Sequence, residues 1–132
     1  MRSTLLVILA ALVALSAAVI AAESHQLSGT FSHSAVDDGV NAYFKLVGSD
    51  EACTDPGPGR YAGQTVFSQG EASYVLEGVA AGEYTGCFFI DSDDNVMETQ
   101  GPTSGDYGAM KKVTINEDTT LDVTEAEWGQ IP

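Results

Sequence analysis

The residues best suited to chemistry stand directly after an apolar run, residues 83–90. Asp91, Asp93 and Asn95 occupy alternate positions, and Asp106 follows at the far end of the same turn-rich stretch. A loop with this spacing can direct several side-chain oxygens toward one point, as the start of a calcium-binding loop does. Backbone carbonyls and water would complete the roughly six to eight oxygen ligands that Ca²⁺ takes. The pattern therefore predicts a calcium site.

A second interpretation of the same stretch is a solvated acidic turn, because Asp and Asn commonly bind backbone amides in turns. The stretch also departs from the EF-hand pattern. Val96 stands where that pattern has glycine, and Pro102 stands where it has a bidentate glutamate. Any metal site here would belong to a loop between strands, and the sequence leaves both interpretations open.

The charge of the chain restricts its partners. It has 132 residues with five Lys or Arg against 19 Asp or Glu, a net charge of −14. Nucleic acids and anionic membrane surfaces are poor partners for such a chain, since binding phosphates needs clustered basic side chains. The balance favours cations, cationic surfaces or simple solubility, and the partner we expect is another protein or a second copy of the chain.

The first 22 residues have the composition of a secretory signal peptide. Arg2 supplies a short positive start, residues 5–22 are apolar or small apart from Ser16, and small residues lie where a signal peptidase would cut. We expect removal of residues 1–22, one domain over residues 23–132, and a secreted or cell-surface protein without a membrane segment. The alternative is a retained anchor, although 18 weakly apolar residues are near the minimum for a span.

Two cysteines, Cys53 and Cys87, remain after the leader. In a secreted chain a disulfide between them is the expected state. The alternative is that Cys87 is a small buried residue and Cys53 an exposed loop thiol. An exposed free thiol is unusual outside the cell, so we predict the bridge.

The elements that must position these residues are β-strands. Short runs rich in branched and aromatic residues recur between clusters of Gly, Pro, Asp and Asn, which is typical of an antiparallel sandwich of about seven strands. A hydrophobic leader helix would precede it. The predicted strands lie within residues 26–34, 40–47, 63–69, 72–79, 83–90, 109–115 and 119–127, the last two joined as a hairpin by residues 116–118. Residues 53–63 are predicted to form a loop.

The stretch "LEGVAAGEYTGCFFIDSDDN", residues 76–95, indicates the type of sandwich. Gly78 and Gly82 permit a tight crossover, and Tyr84 is placed to return its hydroxyl to the backbone as a tyrosine corner. This stretch resembles the motif of transthyretin-like, or carboxypeptidase-regulatory-like, domains, and "SGTFSHSAVDDGVNAYFKL" resembles their first two strands. The resemblance covers roughly residues 26–125. It implies an Ig-like or transthyretin-like sandwich and no particular function.

An enzymatic role is not expected. The hydroxyisourate hydrolases, which resemble transthyretin, need catalytic histidines, an arginine and a C-terminal Tyr-Arg-Gly-Ser. This chain ends "WGQIP", and its two histidines, His25 and His33, lie near the start of the predicted domain. No catalytic Ser/His/Asp arrangement is apparent.

Three functions remain, in order of preference. The first is a secreted structural or binding module, calcium-stabilised if the acidic loop holds an ion. The second is a subunit of an extracellular filament or surface layer. Residues 23–34 could be donated to a neighbouring subunit or could form the first strand of the chain's own sheet, and exposed sheet edges could also pair. A secreted enzyme is the third.

Overall fold

Two β-sheets packed face to face make up the structure, a computed structural model that describes residues 23–99 and 101–132. The predicted signal peptide and leader helix, residues 1–22, lie outside the described residues. The one α-helix of the described part, α1, has four residues, and no helix there is long and apolar enough to cross a membrane. The elements are β1 Ser24–Ser32, β2 Asn41–Gly48, β3 Tyr61–Val66, β4 Glu71–Ala80, β5 Gly82–Asp91, α1 Val96–Thr99, β6 Tyr107–Ile115, β7 Thr119–Thr120, a 3₁₀ turn Glu125–Glu127 and β8 Gly129–Gln130.

The strand order confirms an all-β sandwich. One sheet has three strands in the order β4-β1-β7, and the other has five in the order β3-β2-β5-β6-β8. Neighbouring strands are antiparallel, except that β1 and β7 run parallel. Each of the six strands predicted between residues 26 and 115 is present. The structure differs from the prediction at the ends of these strands and in the C-terminal segment.

The core lies between the sheets and is built by alternation along the strands. In β2 the inward residues are Ala42, Phe44 and Leu46, with their outward neighbours on the opposite face. Phe31 of β1 is fully buried and contacts aromatic rings from both sheets: Tyr74 stacks on it at 4.7 Å between ring centroids. Its other aromatic neighbours are Phe44, Phe88 and Trp128.

One open side of the sandwich is closed by side chains of β3. The Thr65 hydroxyl donates to the Ser73 carbonyl of β4 over 2.6 Å. The Tyr61 hydroxyl accepts a hydrogen bond from the Ala80 N–H over 3.0 Å. Residues 61–63 were assigned to the predicted loop, residue 63 also to the predicted strand of residues 63–69, and the loop assignment was wrong. They pair with Leu46, Lys45 and Phe44 of β2, where the ladder and these cross-sheet contacts outweigh the turn-forming glycines nearby.

The crossover between the sheets occurs at residues 78–84, as predicted. Gly78 has a φ of 70°, a left-handed conformation that favours glycine, and Ala81 alone separates β4 from β5. The Tyr84 hydroxyl donates to the Ala80 carbonyl over 2.7 Å. The predicted tyrosine corner is therefore confirmed, and it fixes the start of β5, the strand that ends in the acidic loop.

The C-terminal segment differs from the prediction. β6 and β7 belong to different sheets, so residues 116–118 are not a hairpin turn. β7 is two residues long, and on either side of it Asp118 and Asp122 add side-chain contacts to β1. Their carboxylates accept hydrogen bonds from the Gln26 and Thr30 N–H groups of β1, over 2.8 and 2.9 Å. The segment thus runs parallel to β1 instead of antiparallel to β6.

β1 is the middle strand of the smaller sheet. Ser24–Ser32 pairs with β4 along one side, and Leu27 and Ser28 pair with β7 on the other. Of the two possibilities left open for residues 23–34, the structure shows the first strand of the chain's own sheet.

The predicted disulfide is present between Cys53 and Cys87, with Cα atoms 5.7 Å apart. Cys87 lies on the outward face of β5, so the bridge fastens the loop of residues 49–60 over the five-stranded sheet. Lys45 of β2 supports the same loop, because its ammonium group donates to the carbonyls of Asp55 and Gly57.

Candidate metal centre

The acidic residues meet where β5 ends and β6 begins. Asp91 is the last residue of β5, and Asp106 immediately precedes β6. These strands are antiparallel neighbours, with Ile90 opposite Tyr107, so the pairing brings together two carboxylates that are 15 positions apart in sequence. The intervening loop contains Asp93, Asn95 and the short helix α1.

Asp91 organises the first half of this loop. Its side chain is 2% exposed. One carboxylate oxygen accepts a hydrogen bond from the Asn95 N–H over 3.2 Å, and the other accepts one from the Val96 N–H over 3.1 Å. The carboxylate therefore holds the chain in the turn from which α1 starts.

Asp106 organises the second half. It is fully buried, and its two oxygens accept hydrogen bonds from the Ser92 N–H over 2.9 Å and the Thr103 N–H over 2.8 Å. A buried carboxylate with two N–H donors is well satisfied as an anion, which explains how the fold accommodates it.

Asp93 brings a third carboxylate to these two. Asp91, Asp93 and Asp106 each offer one oxygen, and the three oxygens lie within 4.8 Å of one another. Asp91 and Asp106 are buried while Asp93 is exposed, so solvent reaches the cluster from the side of Asp93. The structure thus brings together the three carboxylates predicted from their spacing.

Asn95, the fourth predicted ligand, belongs to the same network, but its amide is engaged with its neighbours. Its side-chain N–H₂ donates to Asp93 Oδ2 and to Thr103 Oγ1, both over 3.0 Å. The side-chain oxygen of Asn95 lies 3.3 Å from Thr103 Oγ1. To ligate an ion directly, the Asn95 amide would have to exchange this oxygen contact for the metal.

Thr103 is the member of the site that the sequence did not reveal. Its Oγ1 lies 3.1 Å from Asp93 Oδ2 and 3.4 Å from Asp106 Oδ2, so the single hydroxyl proton can be donated to either carboxylate, and the contact with Asp93 is the shorter. In the sequence it stands within "GPTSGD", which indicates only a turn. No signal in its neighbours distinguishes it from an ordinary loop threonine.

The electrostatics of the cluster are unfavourable to three free anions. Burial raises the pKa of the Asp91 carboxyl, and the hydrogen bonds from the Val96 and Asn95 N–H groups oppose that rise only partly. The contact with Asp93 and the charge of Asp106 raise the pKa further. A bound cation would favour the charged form of Asp91 and offset the repulsion.

The carboxylates of the cluster keep oxygen lone pairs that could coordinate a metal ion. Each ionised carboxylate has about four lone-pair positions, of which the N–H donors described above use two at Asp91 and two at Asp106. The remaining positions and the exposed Asp93 offer hard oxygen ligands, which suit Ca²⁺ better than softer metals. The same hydrogen bonds would also hold the loop together without an ion.

Comparison with known proteins adds no relative. The chain matches no protein-family model, no curated protein and no solved structure. The transthyretin-like family stays a prediction.

Proposed function

We propose that the protein is a secreted, non-enzymatic β-sandwich module with a structural or binding role, and that its acidic loop holds Ca²⁺. The observation that carries this proposal is the convergence of Asp91, Asp93 and Asp106 on one point at the end of the β5–β6 pair. Two of these carboxylates are buried next to each other. An ion that binds only the folded chain would stabilise the module through this loop.

Calcium is favoured over magnesium by the character of the site. The candidate ligands are carboxylates, a side-chain amide and a hydroxyl, all from the loop between β5 and β6 and its ends. Nothing in the described residues of this loop arranges these oxygens as a regular octahedron around one point. Ca²⁺ accepts variable numbers of oxygens at variable angles, whereas Mg²⁺ requires near-ideal octahedral geometry and gives up its waters reluctantly. The test is thermal unfolding with calcium and with a chelator, in the wild type and in Asp93 variants.

We also propose that the sandwich is transthyretin-like, within the wider Ig-like class. The Tyr84–Ala80 hydrogen bond at the crossover supports this assignment, as does the passage of the chain from the smaller to the larger sheet at that point. An experimental structure compared strand by strand with transthyretin-like domains would test it.

Secretion is supported by two independent features. The leader has the composition of a signal peptide, and the Cys53–Cys87 bridge is stable in an oxidising compartment. We propose cleavage after the leader and location outside the cell or at its surface. The intact mass of the secreted protein decides this, and a chain that still begins at Met1 would replace cleavage with anchoring.

The second candidate is a subunit of a filament or surface layer that assembles by edge pairing. It is favoured by β6, which β8 covers only at Tyr107 and Gly108 within the described residues, leaving the edge of residues 109–115 without a strand partner there. Lys111 opposes this candidate, because an inward-directed charge on an edge strand discourages pairing. Negative-stain microscopy of the secreted protein, with and without chelator, distinguishes filaments from monomers.

A further inference from the structure

An apolar patch lies on the outward face of the five-stranded sheet. The alternation that buries Ala42, Phe44 and their partners turns the intervening side chains away from the core. We call the outward residues Val66, Tyr43, Phe89 and Met110 the outer patch. Met110 is 70% exposed and Val66 51% exposed, and Tyr43 and Phe89 are half-buried.

The register of the strands makes this patch continuous. Tyr43 lies opposite Phe89, and their rings stack with centroids 5.1 Å apart. The same row continues through Gly108 and Gly129, which have no side chains, so the sheet is flat beside the aromatic pair. Met110 is one outward position further along β6, within diagonal reach of Phe89.

Charged groups of both signs border the outer patch, and Asp94 is the exposed acidic group that follows β5. Asp91 is the next outward residue of β5 after Phe89, and Asp94 follows in the loop. The Asp94 N–H donates to the Asp91 carbonyl over 3.5 Å, which keeps Asp94 at this end of β5. Asp91 is one outward position from Phe89, the partner of Tyr43. Burial raises the pKa of the Tyr43 phenol, and the charges of Asp91 and Asp94 raise it further. The basic groups of this face are Lys45, which is bound to the loop carbonyls of Asp55 and Gly57, and Lys112 of β6.

We infer that the outer patch is a docking surface for a positively charged segment of a partner protein. An apolar side chain of the segment would cover Tyr43, Phe89 and Met110, and a neighbouring Lys or Arg would face Asp94. This inference rests on the binding role proposed above and adds to it the chemistry of the partner. Cations next to aromatic faces and carboxylates gain from both interactions.

Charge complementarity selects this occupant over the alternatives. The chain carries a net charge of −14, so a second copy or an acidic partner would meet repulsion on approach, whereas a basic segment would be attracted. An aromatic and methionine surface without a charged centre is the composition that protein interfaces favour.

The methionines provide a direct experiment. After removal of the leader, Met97 and Met110 are the only methionines of the chain, so methyl-labelled protein gives two NMR signals. The probe is acetyl-Lys-Leu-Lys-Leu-Lys-amide, with acetyl-Glu-Leu-Glu-Leu-Glu-amide as its acidic counterpart. We expect the Lys peptide to shift the Met110 methyl signal saturably and the Glu peptide to leave it unchanged.

Two valines on opposite sheets supply matched variants. Val66 belongs to the outer patch, and Val75 is equally exposed, at 53%, on β4 of the other sheet. Val66→Ser should weaken peptide binding at least about threefold by removing apolar contact area, and Val75→Ser should leave it unchanged. Both variants should have the same melting temperature as the wild type, which would show that the fold is retained.

Three results would overturn the inference. In the first, the Met110 signal does not respond to the Lys peptide. In the second, Val75→Ser weakens binding as much as Val66→Ser, and binding then reflects charge attraction alone. In the third, Met110 shifts with protein concentration without peptide, and the occupant is then a second copy. The calcium proposal fails if calcium does not change the melting temperature, and the docking proposal fails if the Met110 signal does not shift with peptide. The two measurements are made separately, so failure of one proposal is distinguished from failure of the other.

Discussion

The carboxylate of Asp106 accepts a hydrogen bond from the Ser92 N–H over 2.9 Å and so joins the two ends of the loop between β5 and β6. Its other oxygen accepts from Thr103 within the loop. Asp93, by contrast, is exposed and receives its contacts from the side chains of Asn95 and Thr103. Asp106 therefore supports the loop in any state, while the charge of Asp93 matters chiefly if an ion binds.

Replacing Asp106 with Asn should destabilise the protein even without calcium. The amide nitrogen of Asn cannot accept the N–H that the lost oxygen accepted, so a buried donor is left unsatisfied. We expect a loss of about 1–3 kcal/mol in the free energy of unfolding, measured by denaturant titration in chelator. Asp93→Asn is the matched control and should change stability little under the same conditions. Equal effects of the two substitutions would contradict the structural role of Asp106.

Calcium should raise the melting temperature of the wild type. At a free concentration about one hundred times Kd, an ion that binds only the folded state adds about 2.7 kcal/mol of stability. Mg²⁺ should give a smaller rise. Asp93→Asn should weaken the calcium response, and Asp93→Ala should weaken it more because it also removes the ligand. The measurement is thermal unfolding with calcium, magnesium and chelator.

Ionic strength must be fixed in that experiment, since screening alone stabilises an acidic chain. Calcium affinity should also fall as the pH is lowered through the raised pKa of Asp91, because protons then compete with the ion. Identical melting of the wild type in calcium and in chelator would leave the cluster as a hydrogen-bonded turn.

The cysteines should resist maleimide until a reductant is added. Cys53 and Cys87 are 34 positions apart, and closing a loop of this length contributes about 4 kcal/mol in the chain-entropy model. The double variant Cys53→Ala/Cys87→Ala should lose stability of that order. Because the bridge also holds residues 49–60 over the sheet, that loop should become a preferred site of proteolysis. Two reactive thiols in the folded, unreduced protein would disprove the bridge.

The contact between Lys111 and Glu127 should make stability depend on pH in acid. The Lys111 ammonium lies 2.8 Å from the Glu127 carboxylate and, with the Thr124 N–H and hydroxyl, lowers the pKa of Glu127 from 4.5 to about 2. A carboxyl group whose pKa is lower in the folded than in the unfolded protein stabilises the fold at pH values above its pKa in the unfolded state. This stabilisation is lost as the pH falls toward its pKa in the folded state. Glu127→Gln should therefore flatten the stability profile between about pH 4.5 and 2.

The neighbouring lysine gives the control for this contact. Lys111→Met and Lys112→Met remove the same charge, but Lys111 also donates to the Asp122 carbonyl over 2.8 Å. We expect Lys111→Met to cost up to about 1 kcal/mol and Lys112→Met to have a smaller effect, measured by denaturant unfolding at neutral pH. If both variants lose the same stability, net charge rather than the contact is responsible.

Sequence was sufficient for features that depend on local pattern. Alternation of apolar residues in β2 and β4, and the position of Tyr84 after Gly82, identified the two-sheet architecture and the corner hydrogen bond. The disulfide was also predicted from sequence, because two cysteines after the predicted leader allow one internal pairing. The spacing of Asp91 and Asp93 indicated an acidic cluster at the end of a buried strand.

Other features were decided only by tertiary structure, because they depend on contacts between residues far apart in the chain. Nothing in "GPTSGD" marks Thr103 as the hydroxyl that lies within reach of both Asp93 and Asp106, since that position exists only once β5 and β6 pair. The C-terminal segment has the composition of a hairpin partner for β6. It joins β1 instead, because Asp118 and Asp122 accept the N–H groups of a strand more than 90 positions away, and no local pattern records that pairing.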